Sequence, residues 1–327
     1  MMKIRDFLIL SLAVLLLASC SNSEKTHSFQ GFTMGTYYRV LFIGDEKPDL
    51  QSQIDSVLAD VNHTFSVFDT LSLISCVNKA DSLEVNSDFA KVFEVSKYVC
   101  DVTGGAFNPT VEPLVNLWGF GHDSVSEVSA SEVSALLPLL DFDKVYLKDN
   151  TIIKENKSIV LNFNAIAKGY GVDKVAAFLL DNGYKDFLVD IGGEIVSHGT
   201  KSGKPWQVGI QVPTKEKDGA IASDYTFPLS EAAVATSGNY RNYREENGVR
   251  YSHIINPKTG YPEKSDLLSV TVVAADCVTA DALATAFMVL GVNGSMEILK
   301  QHSEWAAYFI YLKDNELAAT HTENFPK

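Results

Sequence analysis

Cysteine is scarce in this 327-residue chain. Its four residues, Cys20, Cys76, Cys100 and Cys277, are too far apart to make a C-x-x-C pair or a Cys/His ligand cluster. That spacing offers no disulfide scaffold and no zinc pattern, and a chain of this length buries enough surface to fold without staples. Cys76, Cys100 and Cys277 read as buried, inert thiols. Basic residues are also in short supply: 27 Lys and Arg face 41 Asp and Glu, for a formal net charge of -14. A nucleic-acid footprint would be basic and clustered, so that class of partner is set aside. Internal repeats, low-complexity blocks and long Pro/Ser linkers are missing too. No domain boundary is visible, and the length suits one large domain or two intimately packed lobes.

Long apolar runs are confined to the N-terminus; no later stretch approaches the roughly 20 apolar residues of a membrane span. Lys3 and Arg5 precede an apolar run from Phe7 to Ala18, which is short for a span and suits an export signal. It ends in Leu17-Ala18-Ser19-Cys20, which resembles a bacterial lipobox. The expected organisation is a signal peptide over 1–19, a lipidated Cys20 opening a flexible tether over 20–28, and one domain over 29–327. Such a protein would be periplasmic and held at the inner membrane by its acyl chains. An ordinary signal peptide with an incidental cysteine is the alternative.

Along the domain, Thr36 to Ile43 reads as a strand, and Leu50 to Phe65 and Phe89 to Val102 carry helical spacing. Ser129 and Glu132 fit a capping box opening a short helix that stops near Pro138. Lys144 to Leu147 and Thr151 to Lys154 suit a hairpin. A strand over Ser158 to Asn162 is expected to feed a helix over Ala167 to Leu180, followed by a strand over Phe187 to Asp190. Further strands are expected at Trp206 to Gln211, Tyr225 to Leu229, Ala233 to Thr236, Tyr251 to Ile255 and Leu268 to Ala274. A helix over Val278 to Leu290, a second helix and a closing hairpin from Trp305 complete the chain. Short turns join most neighbouring strands, so the fold class is α+β, with mixed, largely antiparallel sheets and packed helices.

Four segments carry more than packing requires. Gly104-Gly105-Ala106-Phe107-Asn108 follows a helix; paired glycines make a cap and let backbone approach a ligand, or simply precede a packing loop. Leu161 to Gly171 runs from a strand into a helix start, with Lys168 in the first turn. A cation there is odd by dipole logic unless a phosphate or a carboxylate sits opposite, and it could also be a surface lysine. His253 precedes the turn Asn256-Pro-Lys-Thr-Gly260; a lone histidine there is either structural or a proton acceptor. Asp281 and Thr285 stand four apart near a helix start, so both oxygens project from one face. They either cap the helix or hold a hard cation such as Mg²⁺, which prefers oxygen ligands.

These four, with Gly31-Phe-Thr-Met34-Gly-Thr-Tyr37, Asp190-Ile-Gly-Gly-Glu194 and Thr236-Ser-Gly-Asn-Tyr240, resemble the FAD:protein FMN transferase (ApbE) family, from about residue 29 to about 312. The resemblance implies the ApbE-like two-lobed single domain. It also implies a Mg²⁺ site at Asp281, Thr285 and the main chain of Ala165, with Ala284 at a further ligand position where an alanine has no carboxylate to give. FAD contacts are implied at Met34, Phe68, Ala106, Phe107, Asn108, Asn162, Lys168 and Ile255. Asn108, Asn162 and Asn256 stand where the family commonly has Asp, which removes charge there. The implied reaction moves FMN from FAD to a Thr or Ser hydroxyl of a partner flavoprotein, such as a subunit of a membrane redox complex. AMP is released, and His253 and Asp281 are the implied catalytic residues. An FAD pyrophosphatase giving free FMN and AMP is the near alternative, and a non-catalytic flavin-binding lipoprotein the distant one.

Overall fold

The computed structural model describes residues 25–120, 128–212, 225–239, 243–246, 249–263, 265–314 and 316–327. The expected signal peptide, Cys20 and the first part of the tether lie outside them. Strands β1 (Thr26–Thr33) and β2 (Thr36–Ile43) open the fold as a hairpin, so the last three residues read as tether belong to a strand. Phe29 is the reason: it packs in the core opposite Val40, and the ring of His27 stacks on Phe42.

Helices α1 (Leu50–Phe65), α2 (Leu73–Lys79) and α3 (Ser87–Val102) follow, with β3 (Ser82–Glu84) between the last two. Helix α3 starts two residues before its expected position because Asn86 caps it, accepting from Phe89 N. Next come α4 (Glu112–Leu117), α5 (Ala130–Leu136) and the hairpin β4 (Val145–Lys148) and β5 (Thr151–Lys154). The capping box of Ser129 and Glu132 is present in full. Helix α6 (Ala167–Asp181) leads into β6 (Asp186–Ile191), β7 (Glu194–His198), β8 (Trp206–Ile210), β9 (Tyr225–Leu229) and β10 (Ala232–Gly238). The chain closes with β11 (Tyr243–Glu246), β12 (Val249–Ser252), β13 (Leu267–Ala274), α7 (Cys277–Leu299), β14 (Ala306–Lys313) and β15 (Glu316–His321).

The strand expected over Ser158 to Asn162 does not form. Ile159 and Leu161 are buried with the period of a strand, but no described strand takes their backbone. Side chains and a loop do so instead. Asn78 accepts from Leu161 N and donates to Leu161 O, the buried Lys154 ammonium donates to Ile159 O, and Asn162 N donates to Pro109 O. Burial period and backbone pairing are separate constraints, and here only the first is met. The strand expected at Tyr251 to Ile255 stops at Ser252. Beyond it, Asn256 N donates to Tyr261 O and Glu263 N to Ile254 O, folding the segment into a closed turn.

Eight strands form one sheet in the order β1-β2-β6-β7-β10-β13-β14-β15, and every pairing among the described strands is antiparallel. Alternate residues serve opposite faces. Phe187, Val189, Ala233, Val270 and Phe309 pack under α1, α3, α6 and α7, while Leu188, Val234, Ala306 and Ile310 pack under the β8–β9 hairpin. Helix α7 is long and apolar enough by composition to cross a membrane. It is instead the central core helix, largely buried over Cys277 to Met288 between the sheet and α6, and it breaks at Gly291, where φ is 67°. That break separates the two helices expected from the sequence.

Candidate active site

A cleft of about 800 Å³ opens where β10 ends. Successive residues there point to opposite sides of the sheet. Thr236 bonds across to Thr271 at 2.8 Å, and Ser237 reaches the Thr285 hydroxyl on α7 at 3.3 Å. Of the residues singled out from the sequence, the cleft wall gathers Ala106, Phe107, Asn108, Asn162, Ala165, Lys168, His253, Ile255, Asp281 and Thr285. Ala284 faces the core with no exposed surface. Phe68 lies off the wall with its ring mostly exposed, and Met34 lies off it as well, in the turn between β1 and β2.

Met34 occupies that turn with φ 47°, a left-handed conformation uncommon for a residue with a side chain. Its methyl sits 3.0 Å from where a Cβ on Gly171 would be, so the glycine on α6 makes room for it. The closed turn after β12 is locked from the other side. Trp118 Nε1 donates to Gly260 O at 2.8 Å, and a Cβ on Gly260 would meet Val133 at 2.4 Å. This clamp ties α4 and α5 to the segment that carries His253 and Ile255.

The electrostatic centre is a triad that the sequence did not disclose. Lys168 Nζ lies 3.0 Å from Glu194 Oε1 and 3.7 Å from Asp281 Oδ1, and both carboxylates are buried. Of the partners open to a cation in the first turn of α6, the structure holds carboxylates. Burial pushes Glu194 up to about 8, and it raises Asp281 as well, against the pull of Lys168. Desolvation would lower Lys168, but the charges of Asp281 and Glu194 hold it above the usual lysine value. One ammonium thus serves two buried carboxylates. Burial holds a proton on Glu194 in place of the missing positive charge, and a cation entering the cleft could take over that role.

Glu194 stands out in the sequence only as part of a turn motif. The signal that would have found it is chemical: an acidic residue beginning a strand directly after Gly192-Gly193, where φ is 67° and 106°. Asp281 Oδ2 accepts from Gly169 N at 2.9 Å, which aims the carboxylate. The start of α7 is itself held by α6, since the Asp173 carboxylate accepts from Cys277 N and Val278 N. Among the described residues no cluster of three or more His, Cys, Asp or Glu forms a ready metal cage. The donors present do fit a hard cation: the Asp281 carboxylate, the Thr285 hydroxyl and the main chain of Ala165 all lie on the cleft wall.

The three asparagines at positions where an acid was expected are fully employed. Asn108 donates to Leu140 O and accepts from Thr110 N and Oγ1. Asn162 accepts from Asn164 N and donates to Glu112, and Asn256 accepts from Lys258 N and donates to Glu263. An aspartate in place of Asn162 or Asn256 would set carboxylate against carboxylate, so in this chain the amide is the fitting side chain.

The ApbE family model matches residues 34–309. The chain belongs to the ApbE family. It is 35% identical to a protein of Haemophilus influenzae named FAD:protein FMN transferase, over the whole of this chain and 98% of that one. A Vibrio cholerae protein of the same name is 36% identical over 90% of each. Among solved structures, the flavin transferase ApbE from Vibrio cholerae superposes with a TM-score of 0.83 at 32% identity, covering 92% of this chain and 98% of that one. An ApbE protein from Thermotoga maritima gives 0.82 at 26% identity over the same shares. The ApbE match spans both faces of the sheet and every wall of the cleft.

Proposed function

We propose that this chain is a Mg²⁺-dependent FAD:protein FMN transferase that joins FMN to a Thr or Ser hydroxyl of a partner flavoprotein and releases AMP. The carrying observation is the acidic pair Asp281 and Glu194 around Lys168, inside a cleft built entirely of family segments. The relatives named above support the substrate and the acceptor class.

Asp281, Thr285 and the main chain of Ala165 would hold the cation. When bound, it neutralises charge on the FAD diphosphate and on the departing AMP. The chain supplies positioning and electrostatics, which dominate phosphoryl-transfer catalysis. Lys168 and the start of α6 present positive charge to the diphosphate. The acceptor hydroxyl attacks the phosphorus on the FMN side, a new P–O bond forms there, and the bond to AMP breaks with its electron pair leaving on AMP. His253, on the cleft wall, accepts the hydroxyl proton. Met34 and Phe68, which lie off the cleft wall, are placed toward the flavin by the family resemblance alone, and the exposed Phe68 ring would offer a face for stacking.

The Leu17-Ala18-Ser19-Cys20 segment supports a lipid anchor on the periplasmic side of the inner membrane. The test of the activity is incubation with FAD and Mg²⁺, with and without an acceptor flavoprotein. Mass spectrometry should show an FMN adduct on the acceptor and one AMP released per adduct. Free FMN with no adduct would reassign the chain as an FAD pyrophosphatase, and no AMP at all would make it a flavin carrier.

A further inference from the structure

Lys168 has two carboxylates within reach, and the metal reading needs only one of them. Asp281 Oδ2 is occupied by Gly169 N–H, so Oδ1 is the oxygen left for a cation. Lys168 Nζ stands 3.7 Å from that same oxygen. An ammonium there repels an incoming cation at close range.

Glu194 offers the ammonium another place. Its Oε1 is already 3.0 Å from Nζ, while its Oε2 is buried and has no donor. A buried carboxylate oxygen left unmet is costly until a donor arrives, and a lysine ammonium carries three. The backbone of Glu194 is fixed by the sheet, because it pairs with Ile191 across the Gly192-Gly193 turn and Gly193 N donates to Asp190. With the Glu194 backbone fixed and its side chain buried, the longer and partly exposed lysine is the partner with more freedom to move.

We propose that Glu194 is a positioning residue that draws the Lys168 ammonium off Asp281. When a divalent cation engages Oδ1 of Asp281, the ammonium moves to both oxygens of Glu194. Glu194 then touches neither metal nor substrate; it acts through Lys168. The inference rests on the reading of Asp281 as a metal ligand.

The test uses the mature chain with Mn²⁺ alone, no FAD, and the free ion counted by electron paramagnetic resonance. Glu194→Gln keeps the shape but not the charge, and should weaken Mn²⁺ binding roughly tenfold or more. Lys168→Met alone should bind Mn²⁺ at least as tightly as the wild type. The double variant Lys168→Met/Glu194→Gln should recover affinity to within about threefold of the wild type. A purely structural role for Glu194 would give no such recovery. Wild-type affinity in Glu194→Gln, weaker binding in Lys168→Met, or a double variant as weak as Glu194→Gln each overturns the proposal while leaving the metal site intact. A wild type that binds no Mn²⁺ overturns the proposal and the metal reading together.

Discussion

Gly169 sets the distance between α6 and Asp281. Its N–H donates to Asp281 Oδ2 at 2.9 Å, and a Cβ at this position would lie 2.3 Å from the carbonyl oxygen of Cys277 and 2.8 Å from Asp281 Cβ. The obstacle is backbone, which cannot swing aside as a flexible side chain would. Gly169→Ala should push α7 away from α6 and cost about 1–3 kcal/mol, the usual range for overpacking. FMN transfer should fall by more than the stability loss explains, because the carboxylate loses its aim. Denaturant melts and transfer rates measured on the same preparation check this, and unchanged transfer would dispose of the argument.

The Asn162 amide lies between Glu112 and Asn164 N. Asn162→Asp should therefore destabilise the protein by about 1–3 kcal/mol, the cost of leaving a partly buried polar pair unsatisfied. Adding Glu112→Gln should restore most of that loss, since an amide again faces a carboxylate. Thermal melts of the single and double variants give the comparison. If Asn162→Asp is as stable as the wild type, Glu112 is not the constraint on this position.

Asp173 links pH to the packing of α6 on α7. Burial pushes its carboxyl up to about 7, against the two N–H groups of Cys277 and Val278, and the charges of Asp276 and Asp281 add to the rise. The folded state thus holds a proton there that the unfolded chain releases near the ordinary aspartate value of 3.8. Stability from this group is present below that lower value and is lost as pH rises to about 7. Asp173→Asn removes the group from the titration. The stability of the wild type minus that of the variant should decline between about pH 4 and pH 7 and level off above. A flat difference across that window would contradict the burial argument.

Cys20 decides localisation under the lipobox reading. Cys20→Ser should release the mature domain from the membrane fraction into the soluble periplasmic fraction, because the acyl chains on Cys20 are what the lipobox reading makes the anchor. Unchanged membrane fractionation of the variant would remove the anchor from the account.

Local chemistry made much of this fold legible. The period of Ile54, Leu58, Val61 and Phe65 defines α1, the Ser129 capping box defines the start of α5, and the Asp149-Asn150 turn defines the β4–β5 hairpin. The run Ser158 to Asn162 misled because its burial alternates like a strand while its backbone is met by Asn78 and Pro109, residues distant in the chain. The cleft was half legible on the same grounds. Asp281 and Thr285 share a helix face, which spacing reveals. Lys168 and Glu194 meet only because α6 and β7 fold together; the local mark of Glu194, an acid directly after Gly192-Gly193, does not name its partner. Residue types could say that Lys168 wanted an anion, but the tertiary fold had to say which.

Asp281 and Thr285 give the sharpest contrast in the site. Both line the cleft from α7, but Asp281 is a buried carboxylate tied to Gly169 and Lys168, while Thr285 is a hydroxyl bonded to Ser237. Asp281→Asn keeps the volume and leaves an oxygen for Gly169 N–H, so the fold should survive with a melt close to that of the wild type. It removes the only carboxylate among the implied ligands, and Glu194 then holds Lys168 with no second anion to balance a divalent cation. FMN transfer should fall by orders of magnitude, with only partial rescue by excess Mg²⁺, since mass action can refill a weakened site but cannot restore its charge. Thr285→Val removes one neutral oxygen that water can replace in the cation's shell, so its defect should be smaller and more fully rescued. Transfer rates of both variants across a Mg²⁺ titration check the order. If Asp281→Asn transfers FMN near the wild-type rate in limiting Mg²⁺, Asp281 serves only to bind Gly169 and fasten α6 to α7.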